Sequence, residues 1–581
     1  MTTSLRDIPG ATRDPVLLRE RRRTRRRLLR GKPPVLRPAP RPALGRPPPR
    51  PRLFEHRRRI RKVDLLIAVL AVGLALFFAH STWSATRVGV AAVGLDDGAV
   101  LSAGEAQRLS LHFEVSPPDR AERATLLVDG HNVRDRVAVR DGRVLWAPGT
   151  EIAEGRHEVE LRVPRPLLGA SSFHWSFTVD GTAPAIEVPR VLDPVAIDQP
   201  VTVTGRVDPD AALFLDGSPV EVEDGGFAVE FDLPPAGPIR LEAIDPAGNA
   251  TRTEVIVPVR YEPVRAVHVT AAAWDHDELR AGILALVDAG RVEAVELDIK
   301  DEGGVVGHRS TVGLAREIGA TKNMYDLRDA VEELHARGVR VIGRVVAFRD
   351  PILTEAAVAR GRDGWVTQLA DGSPHPAYGG FTNFADPAVR RYNIDVALEA
   401  VAAGVDEILY DYVRRPEGAL ADMVFPGLVG TPEDGIVDFL ADSHRLLRRQ
   451  GVPQGAAVFG IAADRPWTVG QDIPRIGRHV DYVSPMLYPS LWVKGEYSVP
   501  DPLREPYEIV KRSLADFQEK LEGTGAVLVP WLQDFTLGSV PYGQAEVRAQ
   551  VQAAADLGVR GFLLWNPLAR YTAEALDPAA R

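Results

Sequence analysis

Four acidic residues are placed where they could carry proton transfer or nucleophilic attack: Asp298, Asp301, Asp411 and Asp534. Each follows an apolar run of strand length, in VEAVELDIKDEGG, VDEILYDYVRRP and VPWLQDF. Paired carboxyl groups can divide the work of a hydrolysis between them. One protonates the leaving group, and the other attacks or activates water. Asp411 is assigned as nucleophile or base, Asp298 or Asp301 as the partner acid, and Asp534 as an alternative acid. The plainer reading of Asp411 is an ion pair with Arg414 or Arg415.

Strand side chains alternate between two faces. Asp411 therefore shares a face with Leu409 and Val413, while Ile408, Tyr410 and Tyr412 take the other. In the segment before it, Val295, Leu297 and Ile299 face one way and Glu296, Asp298 and Lys300 the other. Three ionisable groups on one buried face are costly unless they serve each other or a ligand. Lys300 either holds Asp298 ionised, contacts a substituent on a sugar, or closes an internal salt-bridge layer. Around these acids stand residues suited to sugar rings: Arg344, Tyr410, Tyr412, Arg414, Tyr488, Trp492, Trp531, Gln533, Trp565 and Asn566. Aromatic faces stack on apolar C–H faces, and amides and guanidinium groups meet hydroxyls. No His/Asp cluster has the spacing of a metal site, and no cofactor is called for.

The elements that position these residues alternate in type. Strand candidates are Ala266–Ala273, Val292–Lys300, Val339–Phe348, Val405–Tyr412, Ala456–Ile461, Val480–Leu487, Ala526–Gln533 and Val559–Trp565. Amphipathic runs such as DLRDAVEELHARG lie between most of them. Eight such units predict a (β/α)8 barrel over 260–581, with its chemistry at the C-terminal ends of the strands. After the third strand, Phe348-Arg349-Asp350-Pro351 places Arg349 or Asp350 on the rim, or starts a helix at Asp350-Pro351. The loop beyond, with Trp365, Tyr378 and Phe381, reads as a substrate-facing excursion.

The rest of the 581-residue chain is organised differently. It has no cysteine, which excludes a disulfide framework and a cysteine nucleophile. Residues 1–62 carry a net charge of +17, leaving −26 on the remainder. An acidic body argues against nucleic-acid binding. The Arg/Pro-rich head is expected to be a disordered cytoplasmic tail. It precedes LLIAVLAVGLALFFA at Leu65–Ala79, read as a signal anchor over 63–83 in preference to a cleaved signal peptide. Basic residues before the span place the later domains outside the cytoplasm, with the tail drawn to anionic lipid. Short alternating runs punctuated by Gly, Asp and Pro predict two β-sandwiches, over 86–182 and 183–259. They resemble bacterial immunoglobulin-like modules, the second through Asp245-Pro246-Ala247-Gly248-Asn249. They act as spacers or, in the sharper reading, bind carbohydrate.

In family order, the barrel carries Asp298-Ile299-Lys300-Asp301, Phe348-Arg349-Asp350-Pro351, Asp406-Glu407-Ile408 running to Asp411-Tyr412-Val413-Arg414, and Val458-Phe459-Gly460. Ser484-Pro485-Met486 with Tyr488-Pro489-Ser490, Pro530 to Asp534, and Trp565-Asn566-Pro567 follow. With these motifs the segment 264–570 resembles the DUF4015 group of glycoside hydrolase barrels. It departs from the family pattern at Arg415, Ala457 and Leu491-Trp492. The resemblance implies a (β/α)8 fold and cleavage of O-glycosyl bonds. The expected protein is a membrane-anchored hydrolase of a cell-envelope or secreted polysaccharide. Two alternatives are a barrel that binds glycan without cleaving it, and a scaffold whose sandwiches engage a protein.

Overall fold

A computed structural model describes residues 62–149, 152–165 and 169–577. The basic tail expected to be disordered lies outside the described residues. Lys62–Thr86 forms one 25-residue α-helix. Its apolar side chains from Leu65 to Phe78 are exposed on every side. The uninterrupted apolar run Leu65–Ala79 reaches about 22 Å at 1.5 Å per residue, against a hydrocarbon core of about 30 Å. Among the described residues no helix is long and apolar enough to cross a membrane. The expected membrane span is corrected on this ground.

The chain from Thr86 onward forms a separate compact unit. It opens with a β-sandwich. One sheet runs Gly89–Val93, Leu111–Ser116, Arg143–Trp146, Val137–Arg140; the facing sheet is built on the long hairpin Gly155–Arg165 and Gly169–Asp180. Alternate residues of both sheets meet between them: Leu111, Phe113 and Trp146 from one, and Val159, Leu161, Phe177 and Val179 from the other. A second, smaller sandwich follows, with sheets of three and four strands closing over Val203, Phe227, Leu213, Leu241 and Val255. It abuts the barrel through Arg478 Nη1, which donates to Glu254 Oε2 at 3.0 Å.

Eight parallel strands then close on themselves: β1 Arg265–Val269, β2 Ala294–Lys300, β3 Arg340–Val346, β4 Glu407–Asp411, β5 Gln454–Phe459, β6 Tyr482–Met486, β7 in two pieces (Val527–Leu528 and Trp531–Gln533) and β8 Phe562–Trp565. β1 pairs with both β8 and β2, so no edge remains. The first strand is shorter than expected because Thr270 caps the helix Ala271–Asp275. Inward positions combine small and large side chains: Ala266, Ala294 and Ala457 leave room for Tyr482 and Trp531. Outward positions, among them Val295, Leu297, Ile299, Ile408 and Tyr410, pack against the helices. Val306–His308 and Thr321–Tyr325 extend the sheet beyond the end of β2.

Residues 566–577, after β8, turn back over the seam of the barrel. Tyr571 Oη donates to the His268 carbonyl, Arg265 Nη1 to the Asp577 carbonyl, and Arg291 Nη1 to the Leu576 carbonyl.

Candidate active site

Inward side chains at the C-terminal ends of β1 to β4 form one charged cluster. Arg344 on β3 lies at its centre. Its Nη2 donates to Asp411 Oδ2 at 2.6 Å, its Nε to the same oxygen at 3.0 Å, and its Nη1 to Asp298 Oδ1 at 2.7 Å. Register places the three together, since Asp298 pairs with Arg344 and Arg344 with Leu409, two residues before Asp411. His268 on β1 approaches Asp298 Oδ1 through Nε2 at 3.0 Å. Glu302, on the loop above β2, completes the set with Oε2 at 3.3 Å from Arg344 Nη1. Asp298, Asp411, Arg344 and His268 are all buried; the Glu302 side chain is 45% exposed.

The charges are unequal. Burial works against an ionised Asp298, but Arg344 and His268 outweigh it and hold the carboxyl below its ordinary value. Burial pushes Glu296, two residues deeper on the same face, well above the carboxylate range; Arg344 opposes this without reversing it. Among the described residues neither Glu296 oxygen has a hydrogen-bond partner, and neither does Asp298 Oδ2. Asp411 is fully engaged: Arg344 holds Oδ2, and Oδ1 accepts the Tyr412 N–H at 2.6 Å. The cluster thus has a charged carboxylate with one free oxygen, beside a second carboxylate that orients the arginine. Such an arrangement can stabilise or attack a developing cation, or activate water.

A family model, DUF4015, described as "Putative glycosyl hydrolase domain", matches residues 266–571, the barrel that carries this cluster. The chain belongs to the DUF4015 family. Among solved structures it is similar to a hypothetical protein from Ruminiclostridium thermocellum, 29% identical over 33% of this chain and 96% of that one, with a TM-score of 0.29. It is also similar to the PgaB (BpsB) glycoside hydrolase domain from Bordetella bronchiseptica (14% identity, 54% and 99% covered, TM-score 0.39). The glycoside hydrolase domain of PelA from Pseudomonas aeruginosa follows (14% identity, 53% and 97% covered, TM-score 0.33). No curated protein matches the chain.

Within this DUF4015 barrel the remaining expected site residues separate into groups. Lys300 is turned away from the cluster. A register shift between Asp298 and Lys300 breaks the alternation, and Lys300 Nζ reaches Asp350 Oδ2 at 2.8 Å and Asn393 Oδ1 at 2.7 Å behind the barrel wall. Arg344, not Lys300, holds Asp298 ionised. Tyr410 also points outward, where its hydroxyl accepts from Ser443 Oγ at 2.8 Å. Trp492 packs on Tyr497 among the helices, with ring centroids 5.3 Å apart. Gln533 is buried and ties loops together, accepting from the Ser490 N–H and donating to the Phe535 carbonyl.

Two of the acids hold loops. Asp301 Oδ1 accepts the N–H groups of Gly303 and Val305, each at 2.9 Å; burial still raises its carboxyl. Asp534 accepts the Thr572 N–H and hydroxyl, each at 2.7 Å, and burial likewise raises it. Asn566 donates to the Asp534 carbonyl, joining the ends of β7 and β8.

Tyr488, Trp531 and Trp565 remain near the cluster. Arg344 lies 6.0 Å from the Trp531 ring centroid, and the Tyr488 and Trp565 rings are tilted against each other with centroids 5.1 Å apart. Burial raises the Tyr488 phenol well above its ordinary value, and the Asp411 charge adds to this.

Tyr412 and Arg414 belong to the rim. The strand ends at Asp411 because Tyr412 takes a left-handed backbone, φ 47°. Val413 therefore packs outward and does not share the Asp411 face. Arg414 stacks on Phe459 at 4.1 Å and Tyr412 at 4.8 Å. Of the excursion residues, Tyr378 is 48% exposed and Phe381 is buried.

His268 and Glu302 were not singled out from the sequence. His268 sits in an otherwise apolar strand, and only its register opposite Glu296 brings it to the mouth. Glu302 had a weak signal as part of an acidic pair after β2.

Proposed function

We propose that the barrel hydrolyses O-glycosidic bonds in a cell-envelope or secreted polysaccharide. The observation that supports this most is the carboxylate pair, Asp298 and Asp411, fixed by one buried arginine with Asp298 Oδ2 unpartnered. In this reading Asp298, held ionised, uses its free oxygen as nucleophile or base. Asp411 holds Arg344 in place and adds negative potential beside the forming oxocarbenium ion. Glu302, half exposed at the mouth, protonates the leaving oxygen. Tyr488, Trp531, Trp565 and Asn566 line the sugar. This differs from the order first expected, in which Asp411 attacks and Asp298 or Asp301 is the acid.

The test is reducing-end release from bacterial envelope polysaccharides by the wild type, Asp298→Asn, Asp411→Asn and Glu302→Gln. Release by the wild type that each substitution suppresses supports the mechanism. Full release by Asp298→Asn removes it. One observation favours a barrel that binds glycan without cleaving it: both Asp411 oxygens are already engaged. Saturable binding without products would select that reading.

We also propose that the sandwiches and barrel work outside the cytoplasm, the sandwiches as immunoglobulin-like spacers. The basic head followed by the 15-residue apolar run Leu65–Ala79, a pattern that an export signal also has, supports this. Alkaline phosphatase fused after residue 577 is expected to be active, and an inactive fusion would overturn the placement.

A further inference from the structure

We propose that the rim between β3 and β4 is a subsite for a uronic acid residue of the glycan, selected by Arg349. The proposal rests on the reading of the mouth as a glycan cleft.

Arg349 follows the end of β3. Its guanidinium sits in the corner of two tyrosine rings set edge-to-face, 4.8 Å from the Tyr378 centroid and 5.1 Å from that of Tyr412, and its Nη1 donates to Tyr412 Oη at 2.7 Å. The two rings, set at 75° to each other, cover adjoining sides of the guanidinium and leave its Nη2 edge, which has no hydrogen-bond partner among the described residues, as the route for a partner. That edge matches a carboxylate in shape and charge.

The neighbouring arginines already have partners. Arg344 holds Asp298 and Asp411, Arg414 Nη1 meets Glu417 Oε2 at 3.1 Å, and Arg415 donates to the carbonyls of Pro416, Gly418 and Trp467. Among the described residues no carboxylate lies within ion-pair reach of Arg349, and its Nε is buried without a hydrogen-bond partner. Glu417 balances Arg414 and accepts from Tyr378 Oη at 2.9 Å, so it leaves the Arg349 charge uncompensated.

The backbone gives an independent sign that this aromatic corner is built. Tyr378 and Tyr412 both adopt left-handed conformations, φ 50° and 47°. Bulky residues rarely do so, and strain of this kind gathers where a ligand clamp needs it. Both strained residues flank the same guanidinium. Tyr378 stays half exposed and offers ring surface to a pyranose. Tyr412 directly follows Asp411, so a sugar here is one or two units from the bond to be cleaved.

The test uses the full chain and titration calorimetry with hexasaccharides of galacturonate, mannuronate and a glucuronate-containing repeat. Each is paired with its carboxyl-reduced, neutral counterpart. In at least one pair the acidic member is expected to bind wild type about tenfold or more tighter than the neutral one, the effect of one charge-assisted contact. Arg349→Gln should bring that ratio to within about twofold, and Arg349→Lys should keep part of it. Tyr378→Ala, a change at a half-exposed ring, should weaken both members and leave the ratio. Equal affinities within every pair for wild type overturn the proposal, as does a ratio that survives Arg349→Gln or unchanged affinity in Tyr378→Ala. Reducing-end release without acidic preference retains the hydrolase and removes this subsite. Acidic preference without release retains the subsite and removes hydrolysis.

Discussion

Asp298 and Lys300 are two residues apart on one strand, and each enters a buried ionic group of a different kind. Behind the barrel wall, Lys300 meets one carboxylate, Asp350, and its remaining donors reach Asn393 Oδ1 and the Ala347 carbonyl. Asp350 in turn caps the helix Pro351–Ala359, accepting the Leu353 N–H at 2.8 Å. Charges there cancel. In the mouth, one arginine answers Asp298, Asp411 and Glu302, with Glu296 beneath them. Negative charge is in excess and an oxygen is left unpartnered. A scaffold pair is balanced, whereas a reactive group keeps an imbalance that a substrate cation or proton can relieve.

Exchanging the two residues' losses gives the largest expected effects. Asp298→Asn should lower turnover by about 10³-fold or more while changing unfolding free energy by only about 1 kcal/mol, because Arg344 keeps Asp411. Lys300→Met should do the reverse. It strands Asp350 in the wall and should cost about 3–5 kcal/mol in urea unfolding, with turnover per folded molecule retained. Adding Asp350→Asn should recover part of that stability. If Lys300→Met removes turnover at full stability, the division between wall and mouth fails.

A smaller effect sharpens the same contrast through a carboxylate in a balanced setting. Burial disfavours the Glu399 charge, but His308, Ser310 and Thr311 outweigh it and bring the carboxyl to about 2. Because this value lies below the unfolded one, its contribution is present above about pH 4.3 and is lost as pH falls toward 2. Glu399→Gln should cost about 1–2 kcal/mol at pH 7, with the difference vanishing near pH 2.

Glu296 has the opposite sign. Its folded value is raised, so the folded chain keeps a proton that the unfolded chain loses above about pH 4.3. Its contribution therefore falls as pH rises. Glu296→Gln should flatten that limb by up to about 1.4 kcal/mol per pH unit, read from unfolding between pH 5 and 8. An unchanged slope would mean that Glu296 is not held neutral.

The barrel was legible in the chain because alternation and spacing repeat eight times, and errors in single boundaries average out. Asp298, Arg344 and Asp411 were legible because strand alternation holds up to those residues. It failed one step later in both strands. A register shift turned Lys300 outward, and a left-handed Tyr412 turned Val413 outward. Neither irregularity has a local glycine or proline to announce it. Tyr410, by contrast, was placed outward by the alternation itself, and its expected substrate role conflicted with that face. Trp492 and Gln533 were grouped with the site by nearness in sequence to a strand end, which does not fix the direction of a side chain.

The segment 566–577 crosses back over β1 and pins Asp534 and the backbone of His268. A chain is made from its N-terminus, so these residues emerge only after all eight strands exist. Until they do, the first and last strands have no clasp and the loops above β7 and β8 no anchor. The order of synthesis thus acts as a timer. The cleft is completed only once Thr572 has been added, and a chain stalled a few residues short of it would hold every charged residue of the cluster without a finished mouth.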